Sequence, residues 1–167
     1  MKAYYLDNEQ QVSTTDLDRI GVLNWKLNPE DYEEDLKKIE QERNYGHRSI
    51  VNLSESTLPN FGEMMKKFFE EHLHEFEEIR FILDGEGYFD VREKDDKWIR
   101  IELVKGDLIV LPAGMYHRFT LTDTKYAKAM RLFVNTQKEP IWTPVNRGEN
   151  SDSLECRKEY LKTQSVN

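Results

Sequence analysis

Three of the four histidines in the chain fall in two short stretches. His72 and His74 stand in EHLHEFEEIRFILDGEGYF, with Glu78 and Arg80 close behind them, and His117 stands in GDLIVLPAGMYHRF. Neutral imidazoles and a carboxylate are ligands for borderline-to-hard divalent cations. Three of the first and one of the second suit Fe(II), Ni(II), Mn(II), Co(II) or Zn(II), and not a thiolate-seeking metal. An octahedral ion held by four protein atoms keeps two positions open. A bidentate substrate, or a substrate together with O2, needs that arrangement.

Such a site requires elements that aim the four side chains at one point. On an extended strand, residues two apart share a face. His72, His74, Phe76, Glu78 and Arg80 then point one way, and Leu73, Glu75, Glu77 and Ile79 the other; a bulge near Phe76 would change this. His117 belongs to a separate strand that the fold must bring close. The competing local reading is a helix, in which His74 and Glu78 at i and i+4 loosely resemble a zinc-protease helix with its second His replaced. The residues after Glu78 are β-rich and run into a Gly turn, which leaves no helix of useful length. The bland reading, surface histidines in an acidic run, is the default for a lone His but fits less well two at i, i+2 with a carboxylate following. Arg80 continues the face of Glu78. There it either stabilises negative substrate oxygens through a charge-assisted hydrogen bond or forms an ion pair inside the barrel. Phe119 shares the parity of His117 and is a candidate wall of a substrate pocket; Phe68 is a weaker one. His47 and Cys156 lie outside both stretches and read as bystanders.

Around these stretches the chain divides in two. Lys2 to Tyr5 is a short edge strand. Ser13 to Asp16 offers oxygens for a helix N-cap, with Gly21 as the stop. Leu23, Trp25 and Leu27 alternate with polar residues as in a half-buried strand. Asn28-Pro29 opens a helix as cap and first residue, with Tyr32, Leu36 and Ile39 facing inward and acidic residues in its first turn. Arg48 to Leu53 is a short strand or loop. Pro59 begins a third helix whose Phe61, Met64, Met65, Phe68 and Phe69 read as core packing. From Glu77 onward IRFIL, GYFDV, KWIRIEL, DLIVL, HRFTL and AKAMRLFV are short β-rich runs. Asp84-Gly85-Glu86-Gly87, Lys94 to Lys97, Lys105-Gly106-Asp107, Pro112-Ala113-Gly114 and Asp123-Thr124-Lys125 are the turns between them. That rhythm predicts an antiparallel sandwich or barrel. The expectation is a mainly β fold with N-terminal helices (α+β), in one domain over 1–167. Its helical part is 1–70, its β-barrel core with the metal site 71–143, and its tail 144–167, irregular after Pro140 with a last helix in SLECRKEYLK.

Composition narrows the partners. A net charge of −8 disfavours a nucleic-acid surface, which needs clustered Lys and Arg. No apolar run approaches the roughly 20 residues of a membrane span, and the N-terminus lacks an apolar leader. The single cysteine excludes an intramolecular disulfide and fits a reducing compartment, so cytoplasmic residence is expected.

The two stretches resemble the paired motifs of the cupin superfamily. His72, His74, Glu78 and Gly85 fit the first motif, and Gly106, Pro112, Gly114 and His117 the second; Lys66 stands where the first often has Gly, and Leu121 where the second often has Asn. Within the cupins, HLHEFEEIR, PAGMYHRFTL, GVLNWKL and the terminal RLF, Trp142 and Asn146-Arg147 are similar to the acireductone dioxygenase family of methionine salvage. The resemblance implies a cupin-type antiparallel β-barrel (jelly roll) with His72, His74, Glu78 and His117 as ligands of one Fe(2+) or Ni(2+) ion per chain. It implies O2-dependent cleavage of the acireductone 1,2-dihydroxy-5-(methylthio)pent-1-en-3-one. With Fe(II) the products are 4-methylthio-2-oxobutanoate and formate; with Ni(II) they can be 3-methylthiopropanoate, formate and carbon monoxide. Arg80, Phe119 and Phe68 become substrate contacts. Relatives also imply a monomer and, in eukaryotes, nuclear as well as cytoplasmic residence. The alternatives are a non-catalytic cupin that binds a small ligand and a metal-free isomerase-type cupin.

Overall fold

The computed structural model describes residues 1–136 and 143–165. In chain order the elements are β1 (Lys2–Tyr5), α1 (Thr14–Arg19), β2 (Leu23–Lys26), α2 (Glu33–Arg43), β3 (Tyr45–Leu53), α3 (Phe61–Phe69), β4 (His72–Leu73), β5 (Glu78–Arg92), β6 (Trp98–Val104), β7 (Asp107–Leu111), β8 (His117–Leu121), β9 (Ala127–Val134), β10 (Val145–Asn146), α4 (Glu149–Asp152) and α5 (Glu155–Ser165). All strand pairings are antiparallel. One sheet runs β1-β6-β5-β8-β4-β10 and the other β3-β9-β5-β7-β2.

β5 belongs to both sheets. Its first half, Glu78 to Gly85, pairs with β7 and β9; its second half, Glu86 to Arg92, pairs with β6 and β8. The sequence reads Asp84-Gly85-Glu86-Gly87 as a turn, but the strand runs straight through it. The register with β9 slips between Ile82 and Asp84, and Gly85 takes φ 73°. The left-handed residue therefore bends the strand from one sheet to the other instead of reversing it, as bulges and Gly do at barrel corners. A Cβ on Gly85 would lie 2.3 Å from the Tyr126 carbonyl oxygen.

The bend sorts the core. Ile82, Ile109, Leu111 and Ala129 from one sheet meet Phe89, Val91, Ile99, Ile101 and Leu103 from the other inside the barrel. The opposite face of the second sheet, with Ile79, Phe81, Leu108, Val110, Met130 and Leu132, is covered by Leu36 and Ile39 of α2. That double coverage explains why all five residues of DLIVL are buried. β6, with one face to solvent, alternates as its sequence requires.

Helix expectations held where a side chain caps. Ser13 and Asp16 exchange hydrogen bonds at the start of α1 (3.1 and 3.3 Å), and Gly21 follows its end with φ 87°. They slipped at Asn28-Pro29: α2 begins at Glu33 with Tyr32 at its N-cap position. Asn28 accepts instead from the Glu30 amide two residues on, an Asx-type turn, and the Tyr32 ring is fixed edge-on against Phe81 at 5.0 Å. The region 48–53 is part of a nine-residue strand beginning at Tyr45. α3 stands where expected, but none of its residues is buried. Its Met64 and Phe68 line a cavity, so the face read as core packing has another use. The C-terminal residues form β10, α4 and α5; Pro140 and Trp142 lie outside the described residues.

Candidate metal centre

His72 and His117 are direct cross-strand partners of β4 and β8. Their rings lie 4.5 Å apart, and the His74 ring is 5.1 and 5.2 Å from them. One ligand atom from each lies within 4.8 Å of the others. All three residues and Glu78 are at most 8 % exposed. The segment between His72 and Glu78 does not stay extended. β4 ends at Leu73, and residues 74–77 are irregular before β5 starts. Phe76 therefore leaves the shared face and is exposed, while Glu77 turns to the Arg43 guanidinium and the Tyr45 hydroxyl. His74 and Glu78 still converge, with Nε2 and Oε2 3.4 Å apart.

Each imidazole is aimed by its other nitrogen. Nδ1 of His72 donates to the Glu70 carbonyl (2.6 Å), of His74 to Thr143 (3.0 Å), and of His117 to Met115 (2.9 Å). A carbonyl only accepts, so each Nδ1 carries the hydrogen and each Nε2 offers a lone pair. Such carbonyl partners fix tautomer and ring angle for metal-binding histidines. Among the described residues buried His117 Nε2 has no hydrogen-bond partner, and His74 Nε2 faces a carboxylate oxygen, acceptor against acceptor. A cation at the focus of these atoms would satisfy both. Burial, then the neighbouring imidazoles, holds the His117 pKa well below its ordinary value, and burial lowers that of His72. The donor set thus fits a borderline-to-hard divalent ion.

Glycines and the chain end support the frame. Gly114, with φ 79°, donates its amide to the His74 carbonyl (2.9 Å), and a Cβ there would lie 2.3 Å from the Cys156 carbonyl oxygen of α5. β10 pairs with β4, so Val145 and Asn146 face Leu73 and His72. Arg147 ties this segment down through Glu71 (2.7 Å) and Asp96 (2.8 Å).

Beside the histidines lies a cavity of about 220 Å³. His72, Glu78, Arg80 and Arg131 are its polar lining, and Met64, Phe68, Phe89 and Phe119 are among its apolar walls. Phe119 and Phe68 both line it, and Phe119 packs edge-on with Phe89 at 5.2 Å and with Phe68 at 6.4 Å. Arg80 faces the cavity as parity predicted and also makes the ion pair weighed against that role, Nη2 to Glu78 Oε1 at 2.7 Å. His47 is exposed on β3, away from the cavity lining. Sequence reasoning missed Arg131. The signal was available: in AKAMRLFV it shares a face with Ala127 and Ala129, an arginine among small residues on the inner side of a strand.

A model of the ARD/ARD' family matches residues 4–143. The chain belongs to the ARD/ARD' family. Among relatives of this family, acireductone dioxygenase of Macaca mulatta is 54% identical over 158 residues, covering 93% of this chain and 86% of that protein. Acireductone dioxygenase 1 of Sorghum bicolor is 50% identical over 160 residues, 95% of this chain and 86% of that one. The solved structure of acireductone dioxygenase from Bacillus anthracis with cadmium ion in active center superposes with a TM-score of 0.76 at 29% identity, over 86% of this chain and 96% of that chain. The ARD/ARD' fold is the expected cupin-type antiparallel barrel with helices at both chain ends.

Proposed function

We propose that the protein is a metal-dependent acireductone dioxygenase. Membership of the ARD/ARD' family supports the reaction class. The observation that carries it to this site is the buried convergence of His72, His74, His117 and Glu78 beside an apolar cavity. In this reading those four residues hold one divalent ion per chain, Fe(II) or Ni(II). When bound, the ion supplies Lewis acidity and a template for two substrate oxygens. The substrate is 1,2-dihydroxy-5-(methylthio)pent-1-en-3-one, which O2 cleaves to 4-methylthio-2-oxobutanoate and formate in the Fe(II) form. In the Ni(II) form the products include 3-methylthiopropanoate, formate and carbon monoxide.

The protein groups divide the remaining work. Backbone carbonyls of Glu70, Thr143 and Met115 keep the imidazoles oriented, each with its hydrogen on Nδ1. Arg80 buttresses Glu78 and, through its remaining N–H groups, opposes negative charge on the enediolate. Phe68 and Phe119 wall off water and receive the thioether tail. The setting is methionine salvage in the cytoplasm, with nuclear residence as well, and the working unit is a monomer acting on a small molecule and O2, with no nucleic-acid or membrane partner.

The test is anaerobic loading with Fe(II) or Ni(II), addition of the acireductone, admission of air and product analysis. Formate with the keto acid is expected from the Fe(II) form. Their absence despite full loading would overturn the reading in favour of a non-catalytic ligand-binding cupin. Metal content of His72→Ala and His117→Ala should fall by about tenfold or more; wild-type occupancy in both would move the site elsewhere.

A further inference from the structure

Two glutamates stand side by side where the histidines meet only one. Glu77 and Glu78 are chemically identical, and β5 begins at Glu78, whose register partner is Leu111. Residues 74–77 lie outside any strand, so the ladder holds this pair from one side only. A one-residue slip there would exchange the faces of the two carboxylates. Each carboxylate has its own arginine. Glu78 Oε1 accepts from Arg80 Nη2 at 2.7 Å on the cavity side. On the opposite side, Glu77 Oε1 accepts from Arg43 Nη2 at 2.6 Å and its Oε2 from the Tyr45 hydroxyl at 2.8 Å. Arg43 Nε in turn donates to the Tyr45 hydroxyl oxygen at 2.5 Å, which links the three groups in a closed circuit. Of residues 75–77, only Glu77 makes a side-chain hydrogen bond among the described residues.

The sequence builds this clamp from a helix end. Arg43 is the last residue of α2 and Tyr45 the first of β3, and Asn44 between them takes φ 59°. That left-handed step stops the helix and sets the two side chains next to each other. Asn135 holds the step twice: its backbone amide donates to the Asn44 carbonyl and its side-chain amide to Asn44 Oδ1, each at 2.9 Å. Gly46 permits the approach, because a Cβ there would overlap the Asn135 side chain. Tyr45 is itself buried, which fixes the direction of its hydroxyl.

We infer that Arg43 and Tyr45 are positioning residues for the metal centre. By capturing Glu77 on the side away from the cavity, they make Glu78 the carboxylate that meets the histidines. They also hold the irregular 74–77 segment at the angle that keeps His74 and Glu78 together. This rests on the reading that the three histidines and Glu78 hold a divalent ion, and it needs nothing from the identity of the organic substrate.

Titration of the full-length metal-free protein with Co(II) alone tests this, since the visible absorption of the bound ion reports the geometry of its ligands. Glu77→Ala should lower Co(II) affinity by about tenfold, the usual effect of losing a group that orients metal ligands, and should change the band shape. Glu77→Gln keeps an acceptor for Tyr45 and should recover part of both. Tyr45→Phe removes only a hydroxyl and keeps the ring, so it should move both in the same direction by less. Arg43→Ala and Glu77→Ala should be non-additive, the double variant binding Co(II) no more weakly than Glu77→Ala does. Arg48→Ala is the control. Arg48 ties the same α2 to β3 through Glu40 (2.6 Å) and Glu33 (2.9 Å), with no bond to residues 74–77 among the described residues. Its loss should lower the urea midpoint and leave Co(II) affinity and spectrum as in wild type. The inference is overturned if Glu77→Ala and Tyr45→Phe lower only the urea midpoint, or if Arg48→Ala weakens Co(II) as much as Glu77→Ala. Wild-type Co(II) affinity in His117→Ala would remove the metal reading and the clamp with it. Dependence on His117 with none on Glu77 would remove the clamp alone.

Discussion

At the scale of single residues, the sharpest division of labour is between Arg80 and the histidines. The imidazoles are aimed by backbone carbonyls, none of which depends on Arg80. Arg80→Ala should therefore retain metal while kcat falls by about 10²-fold, the usual loss for one aimed donor opposing developing negative charge. Steady-state turnover set beside metal content checks this; normal kcat would leave Arg80 as a structural partner of Glu78 only. Much of this site was legible in the sequence. The i, i+2 spacing of His72 and His74 and the parity of Glu78 and Arg80 picked out groups that the fold brings together. Phe76 broke the parity because residues 74–77 leave the strand, which no periodicity announces. Arg131 went unnoticed because it lies outside both motifs, although the small residues beside it marked its face.

Among the elements, β5 is the hinge of the architecture and Gly85 the residue that permits it. Any Cβ at that φ is strained, and here it would also meet the Tyr126 carbonyl oxygen at 2.3 Å and the Ala127 Cα at 2.9 Å. Neither backbone atom can yield without unzipping β5 from β9. Gly85→Ala should cost about 2–4 kcal/mol, combining backbone strain with overpacking. It would be read as a lower urea midpoint with an unchanged slope. A midpoint within error of wild type would mean that the corner has slack. The same element shows why local sequence signals misled. Asp84-Gly85-Glu86-Gly87 has turn composition, yet Gly marks bends and bulges as readily as reversals. Only the pairing partners, far away in sequence, decide which. Asn28-Pro29 failed for a related reason: a strong capping signal was spent on a turn one step before the helix.

Over the whole molecule, the C-terminal segment ties chain regions far apart in sequence into one site. Thr143 holds His74, β10 pairs with β4, and Arg147 bridges Glu71 and Asp96. Hydrogen bonding from Arg147 keeps the Asp96 carboxyl below the usual carboxylate range. A depressed folded value means that this contribution is present above the unfolded pKa, about 3.9, and disappears as pH falls through the lower folded value. Amides of residues 143–165 should thus lose hydrogen-exchange protection below about pH 4, ahead of the barrel strands. In Arg147→Ala they should be less protected already at neutral pH, with metal affinity lowered by about tenfold. Uniform protection in that variant, with metal affinity unchanged, would show that the clamp is dispensable. These contacts were beyond sequence reading, because Glu71, Asp96 and Arg147 have no local pattern that pairs them.

The double membership of β5 also bears on how the protein comes apart. A sandwich whose sheets shared no strand could lose one sheet while the other survived. Here β6 and β8 are paired to the second half of the strand that β7 and β9 hold by its first half. Neither sheet can dissolve without removing the central strand of the other, so unfolding should be all-or-none across the barrel. The slowest-exchanging amides of Ile79 to Ile82 and of Phe89 to Val91 should then report one common opening free energy, equal to that of global unfolding. Two distinct values would mean that the corner at Gly85 acts as a break between two independent folding units.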